Sequence, residues 1–167
     1  MIRYLILPAL LLIAGPVHAG EDHGHAHDSG GDTHLATLGD IRLVHAWTRA
    51  TDRDAALIFM EIEHMGAEAA TLTGGATDIA DGVTLVAFQS RDGAAGYVAL
   101  PDLTIAPGTE MVLRPEGVAL LLTGLDAPLV EDKSFGMEVE FARGHAEVIV
   151  QIEAANATRH SHAGHAH

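Results

Sequence analysis

Between residues 41 and 152 the apolar residues come in short runs separated by turn-forming residues, and this rhythm commits the chain to β-structure. The runs cover 41–47, 56–63, 83–89, 111–113, 118–122, 135–141 and 146–152. The last two alternate in period two: Met137, Val139 and Phe141 against Glu138 and Glu140, then Val148, Val150 and Ile152 against Ile149, Gln151 and Glu153. Side chains two apart share one face of a strand, so each run turns one apolar face to a core. Pro107-Gly108, Arg114-Pro115-Glu116-Gly117 and Arg143-Gly144 fall between runs, where the chain must reverse. No segment carries the 3.6-residue period of an amphipathic helix, and seven strands at this spacing predict an antiparallel sandwich.

The two ends have a different character. Residues 1–19 place Arg3 before an apolar stretch and close on Val17-His18-Ala19, which is the layout of a secretory signal peptide cleaved after Ala19. The alternative, a membrane anchor, needs roughly 18–20 apolar residues, more than this stretch supplies. Segments 20–38 and 154–167 contain Gly, Asp, Ser, Ala, Asn and His with little that a core could bury, so both are expected to be disordered tails. The expected division is therefore a leader at 1–19, a tail at 20–38, one domain at 39–153 and a second tail at 154–167.

Charge and cysteine narrow the function. The 23 acidic residues outnumber the 9 Lys and Arg, giving a net charge of −14. Nucleic acid binding draws on clustered basic side chains and is excluded as an expectation. Cysteine is absent, so any metal must be held by imidazole, thioether or carboxylate. HExxH, GxSxG and glycine-rich phosphate motifs are missing as well, and no enzymatic activity is expected.

Histidine is the residue that points to a ligand. Of 12 histidines, His23, His25, His27 and His34 fall in the N-terminal tail, and His160, His162, His165 and His167 in the C-terminal one. Alternate spacing lets neighbouring imidazoles close on one ion, and neutral imidazole suits copper(II), zinc and nickel. A purification tag is usually an unbroken run, whereas these histidines alternate with Ala, Gly and Ser at both termini; a neutral low-complexity tail is the other alternative. Met60, Met111 and Met137 lie in apolar strand patterns and are expected in the core. His64-Met65 before Gly66 reads as a turn pair. His45, two residues before the only tryptophan, Trp47, is expected to be packed rather than ligating.

Across 41–152 the domain resembles the periplasmic copper chaperones of the PCu(A)C family. The marks are Ala46-Trp47-Thr48-Arg49-Ala50, a strand leading into His64-Met65-Gly66, Ile105-Ala106-Pro107-Gly108, Leu113-Arg114-Pro115-Glu116-Gly117, Leu122-Thr123-Gly124-Leu125 and Val139-Glu140-Phe141, in that order. The resemblance implies a cupredoxin-like Greek-key antiparallel sandwich, all-β. It also implies a copper(I) site spaced as His, ten residues, Met, twenty-one residues, His-x-Met. That spacing falls on Val86, Tyr97, Ala119 and Leu121, none of which ligates copper, so the family's site is expected to be lost.

The expected function is that of a periplasmic copper-binding, chaperone-like protein. It captures copper, or zinc, through the eight tail histidines and delivers it to a copper-receiving periplasmic or membrane protein. No membrane span is expected after cleavage. Two alternatives remain: a metal buffer without a recipient, and a metal-independent adaptor that binds a protein through an exposed apolar patch of Val86, Phe88, Tyr97, Ala119 and Leu121.

Overall fold

The computed structural model describes residues 34–91 and 93–161, and within that range every regular element is a strand. In chain order these are β1 (Leu35–Leu38), β2 (Ile41–Arg49), β3 (Ala55–His64), β4 (Ala70–Ala76), β5 (Ala80–Arg91), β6 (Ala94–Ala99), β7 (Leu103–Ile105), β8 (Glu110–Leu113), β9 (Val118–Leu125), β10 (Ser134–Phe141) and β11 (Gly144–Glu153). All seven predicted runs are strands. The four that the pattern did not announce are β1, β4, β6 and β7.

The sheet runs β6-β5-β9-β3-β2-β11-β10-β4-β7, with β1 added to β2 and β8 to β3. Two strands change partner midway and so turn the sheet back on itself, as strands do at the corners of a sandwich. β3 pairs with β9 from Ala55 to Ile58 and with β8 from Met60 to Glu63. Its neighbour β2 pairs with β1 from Ile41 to Val44, then in parallel with β11 from Trp47 to Arg49. All the other strand pairs are antiparallel. The result is the all-β, cupredoxin-like sandwich that the pattern and the resemblance predicted.

The core lies between the two faces. Leu43, Ile58, Met60, Ile62, Leu72, Leu85, Leu113, Leu120, Leu122 and Val139 are all but inaccessible to solvent, and each such side chain contributes about 1.5–3 kcal/mol on burial. Met137, Val139 and Phe141 on β10, with Val148, Val150 and Ile152 on β11, face inward as their alternation predicted. Met60 and Met137 are buried and Met111 packs partly buried against the same core. At the β8–β9 turn Pro115 takes the second position, Glu116 adopts a left-handed φ of 56°, and Gly117 N–H donates to the Arg114 carbonyl at 3.1 Å.

Ordered structure extends past the expected domain limits on both sides. β1 turns into β2 through Gly39, whose φ of 58° suits a tight reversal, and Asp40. At the other end, residues 154–161 fold back over β2: the Arg49 side chain donates from Nε to the Ala157 carbonyl at 2.7 Å. Of the expected tail histidines, only His34 and His160 lie within the described residues. His23, His25, His27, His162, His165 and His167 lie outside them.

Candidate metal centre

The four positions to which the family's copper spacing points do come together. Val86 pairs across strands with Ala119, and Phe88 with Tyr97. Val86 and Ala119 are buried in one cluster with Trp47 and Phe59, against which Tyr97, Leu121 and Ala157 pack. The Trp47 and Phe59 rings stand 4.7 Å apart, and the Tyr97 hydroxyl accepts the Glu116 backbone N–H at 2.9 Å. This pocket is filled by hydrocarbon and has no donor set for copper. It is not an exposed patch either: Val86 is 2% and Ala119 0% accessible, while Phe88, Tyr97 and Leu121 are half-buried. Two of the five residues on which the adaptor alternative depended are therefore buried, and Ala157 packs against the same cluster.

A second constellation lies at the corner where β2 changes partner. Between Val44 and Trp47 the β2–β3 register slips by one residue, so His45 and Ala46 together oppose Met60. This is a β-bulge, a device that re-aims side chains, and His45 carries a positive φ of 54° there. The bulge breaks the two-residue periodicity, since Leu43 and Ala46, three apart, both enter the main core. For this reason the packing expected for His45 from its distance to Trp47 does not apply. Left-handed non-glycine residues are uncommon and concentrate at functional sites.

Three imidazoles meet at this corner. His34 continues the β1–β2 ladder directly opposite His45, whose N–H donates to the His34 carbonyl at 2.9 Å. His160 arrives from the returning C-terminal segment. Ring centroids are 5.3 Å apart for His34–His160, 5.3 Å for His45–His160 and 6.1 Å for His34–His45. Glu153, at the end of β11, places Oε1 2.7 Å from His160 Nδ1 and accepts the Ser161 N–H at 3.1 Å. No three His, Asp or Glu side chains among the described residues have their donor atoms already gathered as a loaded metal site would; here the rings are close, and ring rotation would have to aim the nitrogens.

The remaining candidates have structural roles. His64 is buried, its Nε2 on the Glu68 carbonyl and its Nδ1 accepting the Gly66 N–H at 3.3 Å, so both ring nitrogens serve the turn that the sequence predicted. Met65 beside it is exposed.

The sequence profile of the LpqE-like lipoproteins matches residues 41–153. The chain belongs to the LpqE-like family. Solved structures similar to this LpqE-like domain are PCuAC domains. That of PmoF1, without metal, has a TM-score of 0.63 at 17% identity, covering 72% of this chain and 99% of its own. The apo PmoF2 domain has a TM-score of 0.61 at 17% identity, covering 75% and 99%. The copper(I) form of DR1885 from Deinococcus radiodurans follows at 0.56 and 23% identity, covering 80% and 89%. At such identities the likeness is one of fold. No curated protein sequence is similar enough to this chain to count as a relative.

In this LpqE-like protein, burial holds the His160 pKa below its ordinary value; His45 and His34 push the same way, and the Glu153 carboxylate opposes them. A folded-state pKa below the unfolded one means that the docked segment binds fewer protons than the free one. Docking of 154–161 is then at full strength above about pH 6.5 and weakens as pH falls below it. Amide exchange of Ala157 and Ser161 should accordingly show smaller protection factors at pH 5.5 than at pH 7.5. Equal factors at the two values would contradict the direction.

Proposed function

We propose that this LpqE-like protein is an exported, periplasmic copper-handling protein that captures copper, with zinc as a competing cation, through its histidine tails. The ion then passes by ligand exchange to a copper-receiving protein. One observation carries the reading: His34 and His160, the histidines nearest the domain in the two tails, stand 5.3 Å apart, so the two ligand strings leave the fold from one place. The acidic surface, net −14, favours cations there. Copper-bound forms of PmoF2 and DR1885 are in keeping with a copper-binding family. The leader pattern at 1–19 supports export, as does the family's description as lipoproteins. Cysteine is absent from the 167 residues, so a lipid held through a cysteine thioether has no attachment point among them.

Titration with copper(II) tests the reading. The full chain should bind more than one ion, and replacing His23, His25, His27, His162, His165 and His167 together by alanine should remove most of that capacity. Equal capacity in both proteins would remove the tails from the mechanism. Binding should also weaken as pH falls through about 6.5, where protons compete for imidazole; a flat response from pH 8 to 5 would contradict imidazole ligation.

A further inference from the structure

We propose that His34, His45 and His160 close by ring rotation into a three-imidazole site for a divalent copper ion on the folded domain, with Glu153 as the carboxylate that orients His160. The inference rests on the reading that copper is the cargo, and it adds a site in which one ligand belongs to the domain itself and to neither tail. Its geometry fits. With metal–nitrogen bonds of about 2.0–2.1 Å a ring centroid sits roughly 3.2 Å from the ion; cis and trans rings of a tetragonal copper(II) ion then stand roughly 4.5 and 6.4 Å apart, and rings of a site flattened toward trigonal or tetrahedral angles roughly 5.2–5.5 Å. Two of the three separations are 5.3 Å and the third is 6.1 Å, so closing the set needs a shift of under an ångström between His34 and His45 together with ring rotation.

The surroundings match what a metal-binding imidazole uses. A ligating histidine commonly engages a carboxylate through its other ring nitrogen, which fixes tautomer and orientation. Glu153 Oε1 stands at 2.7 Å from His160 Nδ1, with both side chains little exposed, and this assigns Nε2 as the ligating atom. The left-handed backbone of His45 is unfavourable for a residue with a Cβ, and glycine would adopt the same φ freely. The bulge turns this particular side chain out of the core and toward His34 and His160. An all-nitrogen donor set suits copper(II) and zinc, whereas the family's thioether ligands suit copper(I). The site shares no ligand with the filled cluster of Val86 and Ala119, which it adjoins through Trp47 and Ala157, and it would take a different oxidation state.

The test uses the full chain with His23, His25, His27, His162, His165 and His167 replaced by alanine, and copper(II) as the probe. This protein should hold one ion, whose paramagnetic resonance spectrum carries coupling from imidazole nitrogens. In that background His45→Gly, which the backbone accommodates without strain, and His160→Ala, outside the sandwich, should each weaken binding by more than about 100-fold. Glu153→Gln should weaken it by about 10–100-fold, the range for loss of an outer-sphere partner. If the unaltered protein binds several ions and the six-fold variant none, the three-imidazole site is overturned while the tail reading stands. An ion retained at unchanged affinity after His45→Gly overturns it too, since the ligands then lie elsewhere. If the unaltered protein binds no copper, both readings fail.

Discussion

Phe59→Ala should lower the stability of the domain by about 3–5 kcal/mol, the usual range for removing a buried aromatic ring. Phe59 is 1% accessible, its ring 4.7 Å from that of Trp47, and it sits where β3 exchanges β9 for β8 as its partner. With β2 on one edge and those two strands on the other, the backbone has little freedom to close the vacated space, and this sets the cost toward the upper part of the range. For a chain of this size the thermal midpoint should fall by roughly 6–20 °C, at about 2–4 °C per kcal/mol. A fall of under about 2 °C would show that the Trp47 cluster collapses readily and is not a rigid layer.

Ala119→His, which restores one family ligand, should destabilise the domain by about 3 kcal/mol or more and create no copper(I) site. Ala119 is fully buried and lies opposite Val86. An imidazole there meets side chains already in contact, an overpacking cost of about 1–3 kcal/mol, and carries polar atoms into hydrocarbon at about 1–3 kcal/mol more when they find no partner. Its would-be partners Val86, Tyr97 and Leu121 offer no soft donor. Denaturant unfolding should show a lower midpoint with an unchanged slope, and competition with a copper(I) chelator should show no gain over the parent. Unchanged stability would mean that the pocket is looser than its burial implies.

The interior strands were legible in the sequence because they bury one face and so must alternate; β10 and β11 show this most plainly. Strands that are short, lie at an end of the sheet or, like β4 between β10 and β7, carry glycine leave a fainter trace. β6 is rich in alanine and glycine, β4 contains Gly74-Gly75, β7 has three residues and β1 four, and β6 and β7 close the two ends of the strand order. Counting the family's copper spacing landed on four residues that share one packed cluster. The three-imidazole corner was out of reach because His160 is far from His45 in the chain and the same-face rule fails at a bulge. One signal was present: reading Leu38-Gly39-Asp40-Ile41 as a hairpin turn places His34 opposite His45.

The closeness of His34 and His160 at the β2 corner bears on how the proposed tail ligands should be counted. Ligand groups tethered to neighbouring points on one body meet at an effective concentration on the order of millimolar when the tethers are short and flexible. An ion caught by imidazoles at one end finds those at the other as intramolecular partners, and its release then requires both to let go. On the proposed reading, in which the tails hold copper, the two histidine strings would act as one bivalent chelator and would retain the ion longer than either string alone.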